Sequence, residues 1–111
     1  MGVVILVPSV VRILHMDRDL IKQQLKYPLE ETNFDDQGEL YRGKVRDNYI
    51  NEDTITMVTT DRISAFDKVL GTVPFKGQSL VELADWWFGE TADIVANHVI
   101  RRPHPNVWTV R

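Results

Sequence analysis

The sequence predicts an α+β fold, in which an antiparallel β-sheet forms a lobe with flanking helices. Residues 40–49 and 54–60 are rich in Val, Ile, Thr and Tyr, and only a short polar turn at residues 51–53 separates them. That pattern is typical of a β-hairpin. Apolar side chains then recur at helical spacing over residues 80–88, which indicates an amphipathic helix that covers one face of a sheet.

Length and composition limit the range of functions. The chain has 111 residues, 43% of them apolar and 26% charged, which is typical of one folded domain. One core fits this length, and a large two-lobed enzyme does not. The net charge of −3 provides no basic stripe for nucleic acid and no polybasic cluster for a membrane. The absence of Cys excludes disulfides, thiolate metal ligands and a Cys nucleophile, and it is compatible with a reducing cytoplasm.

Residues 1–15 are expected to be an N-terminal extension. Their apolar run is shorter than the ~20 residues of a membrane-spanning helix, and Pro8 and Arg12 interrupt it. It also lacks the basic start and the small-residue cleavage site of a secretory signal. Two interpretations are open: Met16 is the true start of the protein, or residues 3–7 form an added edge strand.

The next elements follow from local signals. Asp17 can cap a helix over residues 18–26, which must end before Pro28. Residues 30–38 are polar and turn-rich, so a loop is expected there. Residues 68–75 are a third strand candidate, closed by a proline and a glycine.

The amphipathic helix has its own start signal. Ser79 and Glu82 form an S-x-x-E capping box, which predicts a helix beginning near Leu80. Gly89 can kink or end this helix, residues 91–98 can continue it, and residues 106–111 favour a last strand. The side chains expected to cover the sheet are Leu80, Leu83, Ala84, Trp87 and Phe88.

The segment over residues 40–47 combines a glycine with three cations. Gly43 falls within a predicted strand, where glycine is unfavourable unless another group approaches the backbone closely. Arg42, Lys44 and Arg46 surround it, and cations beside exposed backbone N–H groups suit a phosphate. The sequence pattern of the triphosphate-binding P-loop is absent. A solvated edge strand whose cations oppose aggregation explains the same residues, so both interpretations are open.

The segment over residues 61–67 offers two carboxylates, a guanidinium and a hydroxyl. Arg62 can pair with a carboxylate or phosphate, Ser64 can donate a hydrogen bond, and Asp67 can accept one from a sugar hydroxyl or an amine. The alternative is structural, with Asp61 and Ser64 forming a local turn while Arg62 binds nearby acids.

Two further features carry weaker signals. His15, His98 and His104 lack the spacing of a metal site, so no metal centre is expected from them. Lys76 and Gly77 precede the predicted helix and fit either a positive helix start that faces an anion or a plain turn.

In combination, these motifs resemble the N-terminal part of the SAICAR synthetase (phosphoribosylaminoimidazole-succinocarboxamide synthase) family. The resemblance covers about residues 17–111 and is strongest over residues 40–88. Each short motif is uninformative alone, but their common order makes the match specific. The motifs are, in order, L-Y-R-G-K-V-R-D-N-Y at residues 40–49, the hairpin, T-D-R-I-S-A-F-D at residues 60–67, K-G at residues 76–77 and L-x-x-W-W-F at residues 83–88.

The resemblance implies an ATP-dependent carbon–nitrogen ligase of de novo purine biosynthesis. The family joins L-aspartate to carboxyaminoimidazole ribonucleotide (CAIR), giving SAICAR, ADP and phosphate through an acyl phosphate. Since a carboxylate is a poor electrophile, its phosphorylation supplies the leaving group. The implied fold is ATP-grasp-like, with the nucleotide held between an N-terminal antiparallel sheet lobe and a larger C-terminal lobe. The implied partners are these small molecules, with no nucleic acid or membrane. A cytoplasmic location is expected, and a homo-oligomer of the full-length enzyme is left open.

The resemblance also assigns site residues by position. The family's glycine-containing phosphate loop falls on Gly43, Lys44, Val45 and Arg46, with Arg42 beside it. Lys44 is the expected triphosphate contact, and Lys44 and Arg46 are the expected catalytic cations. A second family loop faces the active-site cleft and is expected to bind or shape the pocket of the imidazole ribonucleotide; here it supplies Asp61, Arg62, Ser64, Ala65 and Asp67.

One departure from the family concerns length. Its members are considerably longer, and the acidic residues that hold Mg²⁺ are expected in the C-terminal lobe of the family. No pair of carboxylates after Asp67 can be matched to those residues here. Residues 16–111 are therefore predicted to form an ATP-binding lobe that lacks ligase activity by itself. The alternative is a non-catalytic truncated domain, or a β-rich interaction module with weak nucleotide binding.

Overall fold

The computed structural model describes residues 17–111, so the expected N-terminal extension lies outside the described residues. The described part of the chain contains two helices and seven strands. They are, in chain order, α1 (Arg18–Gln24), β1 (Glu39–Arg42), β2 (Arg46–Ile50), β3 (Ile55–Thr59), β4 (Arg62–Ala65), β5 (Lys68–Thr72), α2 (Lys76–Glu90), β6 (Val99–His104) and β7 (Val107–Val110).

Two antiparallel sheets confirm the predicted α+β class. The larger sheet has five strands in the order β1-β2-β3-β7-β6, and the smaller one is the β4–β5 hairpin. The predicted hairpin around residues 51–53 is confirmed as β2–β3, in which Ile50 pairs with Ile55. β7 is confirmed near its predicted position and lies beside β3.

Different parts of the chain pack on the two faces of the five-stranded sheet. Met57 pairs with Trp108 and Ile55 pairs with Val110, and paired residues project to the same face. Helix α2 packs on that face through Val81, and we call it the helix face. Its core consists of Val81, Trp108 and Val110, packed against Ile55, Met57, Ala84, Phe88 and Val99. Asp47 and Tyr49 point to the opposite face, where residues 29–34 cover them.

The prediction of one continuous strand over residues 40–49 is wrong. The chain reverses at residues 43–45, and Arg42 of β1 pairs with Asp47 of β2. The Gly43 N–H donates to the Arg46 carbonyl oxygen at 2.8 Å, which closes the turn. Gly43 therefore lies in a turn, where the absence of a side chain is an advantage, rather than in a strand interior.

The predicted start of α2 is also wrong. The helix begins at Lys76, one turn before the Ser79–Glu82 capping box, and the Ser79 N–H already bonds the Phe75 carbonyl oxygen at 2.9 Å. Phe75 is the N-cap residue and has a left-handed conformation with no side-chain cap. The carboxylate of Asp61, from another part of the chain, supplies the cap instead.

The apolar stripe of α2 is rotated from its predicted position. Val81, Ala84 and Phe88 pack on the sheet, whereas Leu83 and Trp87 are more than half exposed. The helix ends at Glu90, so the continuation over residues 91–98 is wrong. Neither helix in residues 17–111 is long and apolar enough to cross a membrane.

The remaining predictions differ from the structure in detail. Asp17 caps α1 by accepting from the Asp19 N–H at 2.9 Å, as predicted, but the helix ends at Gln24. The strand expected over residues 68–75 is shorter and pairs with β4 rather than with the larger sheet. Strand β6 was not predicted, because Arg101, Arg102 and Pro103 interrupt its apolar alternation.

Candidate functional site

The two segments that carried the chemical signals lie side by side. Lys44, in the turn between β1 and β2, forms an ion pair with Asp67, at the tip of the β4–β5 hairpin. Their side chains are 49% and 84% exposed, so water screens the pair and it contributes little to stability. The surface at this point therefore carries one cation and one carboxylate in close contact.

Beneath the turn lies the guanidinium group of Arg62, a residue that is only 7% exposed. Its Nη2 donates to the Gly43 carbonyl oxygen at 3.0 Å and to Asp47 Oδ1 at 2.8 Å. Its Nε donates to the Lys44 carbonyl oxygen at 3.0 Å, and its Nη1 donates to the Glu30 carbonyl oxygen at 2.6 Å. Arg62 therefore joins the turn, strand β2 and the segment before β1.

Asp47 is the buried counter-ion of Arg62, with no exposed surface. Its Oδ2 accepts from the N–H and the hydroxyl of Thr32 at 2.7 and 2.9 Å, and its Oδ1 also accepts from Arg42 Nε at 3.3 Å. Burial would raise the pKa of Asp47, but the hydrogen bonds from Arg62 and Thr32 outweigh it and hold the pKa below its ordinary value. Asp47 is therefore ionised and fully partnered at neutral pH.

The carbonyl groups of the turn all point into the protein. Those of Gly43 and Lys44 accept from Arg62, and that of Val45 accepts from the N–H and the hydroxyl of Thr60 at 3.0 and 2.8 Å. In a trans peptide the N–H points away from the preceding C=O. The N–H groups of Lys44 and Val45 therefore point outward, and neither has an acceptor among residues 17–111. Successive outward N–H groups form a concavity suited to an anion.

Asp61 fastens helix α2 to the same region. Its Oδ1 accepts from the Gly77 N–H at 3.0 Å, which supplies the helix cap that Phe75 lacks. Its Oδ2 accepts from the Leu29 N–H at 2.8 Å. Gly77 permits this docking, because a Cβ atom there would lie 2.3 Å from the Thr59 carbonyl oxygen.

A second cluster of positive charge lies beside the turn. Lys76 Nζ donates to the Arg62 carbonyl oxygen at 2.7 Å. Burial lowers the pKa of Lys76, the negative charge of Asp61 raises it, and the positive charges of Arg62 and Arg46 lower it further, so that the net shift is downward. Arg46 is exposed and lines a cavity of about 250 Å³ between the sheet and α2. Positive charge is thus concentrated on the helix-face side of the turn.

The tip of the β4–β5 hairpin has an unfavourable backbone conformation. Phe66 and Asp67 have φ angles of 49° and 70°, a left-handed region that favours Gly or Asn. The Phe66 side chain is 98% exposed and has no packing to compensate for this conformation. Ser64 is exposed on β4, and a register irregularity lies between Ile63 and Ser64.

The two segments thus lie side by side, but their residue types alone did not separate the surface groups from the buried ones. Lys44, Arg46, Ser64 and Asp67 are on the surface, whereas Asp61 and Arg62 are committed to hydrogen bonds within the protein. Arg42 bonds the Thr32 carbonyl oxygen at 2.6 Å and pairs with Glu31 at 3.3 Å, so local groups partly satisfy it. Residue types alone did not identify Thr32, Asp47 and Thr60 as parts of this network.

Two other observations delimit the site. A larger cavity of about 1190 Å³ lies on the opposite face of the sheet, and none of residues 42–46 lines it. Within residues 17–111, no group of three or more His, Asp or Glu side chains is placed to hold a metal ion. The turn, which presents outward N–H groups beside cations, is therefore a candidate anion site that is separate from this cavity.

Sequence comparisons with known proteins agree on a single family. A model of the SAICAR synthetase family matches residues 39–111. The phosphoribosylaminoimidazole-succinocarboxamide synthase of Legionella pneumophila (strain Lens) is 54% identical over 70 residues, which cover 63% of this chain and 22% of that protein. The chloroplastic synthase of Arabidopsis thaliana is 43% identical over 91 residues, covering 78% of this chain and 22% of that protein.

A solved structure agrees with the sequence relatives. It is described as the SAICAR synthase from Saccharomyces cerevisiae complexed with SAICAR, and it matches with a TM-score of 0.66 at 29% identity. The match covers 74% of this chain and 36% of the yeast chain. The matched part of the chain spans 19% to 26% of the length of these curated relatives and others like them.

Proposed function

The chain belongs to the SAICAR synthetase family, and on that premise we propose that residues 16–111 form the N-terminal, ATP-binding lobe of an ATP-grasp-like ligase. The proposed reaction of the complete enzyme belongs to purine biosynthesis: ATP, CAIR and L-aspartate give SAICAR, ADP and phosphate. The observation that carries the proposal is the turn at residues 43–45, which presents outward N–H groups beside Lys44.

The turn fits the phosphates of a nucleotide in geometry and in charge. The N–H groups of Lys44 and Val45 have no acceptor in the described part of the chain, and the Lys44 ammonium group is at the surface, where it pairs with the exposed Asp67 carboxylate. A phosphate oxygen accepts hydrogen bonds from both kinds of donor, and charge-assisted bonds are the stronger ones. Arg46 and Lys76 add positive charge on one side. The same lobe therefore binds the polyanionic part of ATP in this proposal.

ATP supplies the phosphoryl group that makes a carboxylate reactive toward an amine. The residues of this lobe position that group and stabilise its charge, which is the main requirement of phosphoryl transfer. We assign Lys44 and Arg46 to charge stabilisation, and Gly43 and Val45 to the backbone that approaches the phosphate. Arg42 is a weaker candidate for a phosphate contact, because Glu31 and Asp47 already compensate its charge.

The β4–β5 hairpin is the proposed edge of the CAIR pocket. Ser64 and Asp67 are exposed there and can hydrogen-bond a sugar or an amine. Ala65 leaves room beside them, whereas Asp61 and Arg62 shape the pocket from below. The proposed partners are small molecules, and the proposed location is the cytoplasm.

By itself this lobe is proposed to be inactive. The carboxylates for Mg²⁺ are expected in the C-terminal lobe of the family, and residues 17–111 bring no group of three or more potential ligands together. A cleft with one wall does not exclude water from the reacting groups, nor does it hold both substrates. We therefore expect binding of the nucleotide without turnover.

The test is a calorimetric titration of the 111-residue chain with ADP, compared with a Lys44→Ala variant. Removal of one charge-assisted contact costs about 1.5–3 kcal/mol, so the dissociation constant should increase by roughly ten- to a hundred-fold. An assay of ADP release with ATP, CAIR and L-aspartate should show no turnover. Lys22→Ala is the matched control, since Lys22 is an exposed lysine in α1.

Three outcomes would contradict the proposal in different ways. Equal affinities of the Lys44→Ala variant and the unaltered chain would remove Lys44 from the site. Turnover by the isolated chain would refute its inactivity. Absence of any ADP binding would favour the competing function, a non-catalytic interaction module, for which the exposed Leu83, Trp86 and Trp87 on α2 provide an apolar surface.

A further inference from the structure

We propose that Arg62 is a positioning residue, which orients the peptide groups of the β1–β2 turn toward a bound phosphate without touching that phosphate. The family resemblance placed Arg62 among the substrate contacts, and the structure gives it a different task. The nature of the ligand rests on the proposed function, whereas the orientation of the turn does not.

The hydrogen bonds of Arg62 leave it little capacity for a ligand. A guanidinium group has five N–H donors, and four of them bond the carbonyl oxygens of Gly43, Lys44 and Glu30 and the carboxylate of Asp47, at 2.6 to 3.0 Å. The side chain is 8% exposed. Arg62 therefore acts on the turn from beneath, on the side away from solvent.

The geometry of the peptide groups explains how these hydrogen bonds orient N–H groups toward an anion. Because Arg62 holds the Gly43 carbonyl inward, the Lys44 N–H must point outward, and the Lys44 carbonyl fixes the Val45 N–H in the same way. Thr60 holds the next carbonyl inward. Without Arg62 the first two peptide planes lose their anchor, and each can rotate its carbonyl oxygen toward the position of the anion.

The guanidinium group of Arg62 is itself held in place. Asp47 is fully buried and also accepts from Thr32, so the carboxylate and the guanidinium group fix each other. A lysine at position 62 would preserve the charge but has a single ammonium group, which does not reach four acceptors arranged as a fork. Arg62→Lys therefore separates positioning of the turn from charge.

The test combines amide hydrogen exchange with an ADP titration of the Arg62→Lys variant of the 111-residue chain. The Gly43 and Thr60 amides report on the turn, since they bond the carbonyl oxygens of Arg46 and Val45. Amides in β3 and β7 report on the core. We expect exchange at Gly43 and Thr60 to accelerate at least ten-fold more than in the core, and ADP affinity to fall at least ten-fold. Arg62→Gln is the second variant, if the lysine side chain preserves too many of the bonds.

Arg102→Lys is the matched control. Arg102 is also a largely buried arginine, at 17% exposure, and pairs with Glu82 and Asp85 far from the turn in sequence. It should change exchange at Gly43 no more than in the core.

Two results of the Arg62→Lys and Arg62→Gln variants would overturn the proposal. One is unchanged exchange at Gly43 and Thr60, and the other is a uniform increase across the core, which a general loss of stability produces. If the unaltered chain binds no ADP, the proposed function fails, but the exchange pattern still decides whether Arg62 orders the turn.

Discussion

Replacement of Gly77 by alanine should destabilise the protein, although alanine is the better helix former. Gly77 is the second residue of α2 and is buried against the end of β3. A Cβ atom would lie 2.3 Å from the carbonyl oxygen of Thr59 and 2.8 Å from that of Thr60. These neighbours are backbone atoms of the central strand β3 and of the residue that follows it, so they cannot move aside as the end of a flexible side chain would.

Two opposing terms set the magnitude. Gly to Ala in a helix normally stabilises by about 0.5–1 kcal/mol. Against this, relief of the overlap requires α2 to shift, and overpacking of this kind costs roughly 1–3 kcal/mol. The shift also weakens the bond from the Gly77 N–H to Asp61, which is charge-assisted and is worth about 1.5–3 kcal/mol if lost completely. The net expectation is a loss of about 2–4 kcal/mol.

Urea unfolding followed by Trp fluorescence measures this loss directly. Gly89→Ala is the matched control, because Gly89 lies in the same helix and nothing within 4 Å would meet its Cβ atom. That variant should gain about 0.5–1 kcal/mol. If Gly77→Ala were as stable as the unaltered chain while Gly89→Ala gained stability, the close approach of α2 to β3 would be refuted.

Two further predictions concern the buried and exposed carboxylates. Asp67→Asn should raise ADP affinity several-fold at low salt, because it releases Lys44 from its ion pair, and calorimetry that showed a decrease would mean that Asp67 supports the phosphate site instead. The pKa of Asp47 is lower in the folded protein than the ordinary value of 3.8 that it has in the unfolded chain. The ionised carboxylate therefore stabilises the fold at pH values above 3.8, and this contribution is lost as the pH falls through the folded pKa. The urea midpoint of the unaltered chain should therefore decrease below about pH 4. The decrease should be smaller in Asp47→Asn, whose free energy of unfolding is already lower by roughly 3–5 kcal/mol.

The sequence was sufficient for features that depend on near neighbours. The hairpin across residues 51–53, the Asp17 cap and strand β7 all have their signals within a few residues. The two chemical segments were recognised in the same way, because their unusual residue types are contiguous in the chain, and their binding roles stay a prediction. Features fixed by partners distant in sequence were not accessible in this way.

The start of α2 shows why. The capping box at Ser79 and Glu82 is a sound local signal, but the carboxylate of Asp61 caps the helix one turn earlier, 16 residues away in sequence. The direction of Arg62 is a similar case: its residue type suggested a ligand contact, while its four acceptors lie within the fold and up to 32 residues away. Residue types identify charged groups such as Asp61 and Arg62 as candidates, but they do not show whether these side chains face solvent or the protein interior.

The bonds of Asp61 have a consequence for how the molecule comes apart. Its carboxylate and backbone reach Leu29 before the sheet, Val73 after β5 and Gly77 in α2. Any one of these segments can detach only by breaking bonds to the residue that also secures the other two. Partial unfolding of the N-terminal segment, the small hairpin or the helix therefore leaves a polar group of Asp61 without its partner, which penalises local opening of each segment.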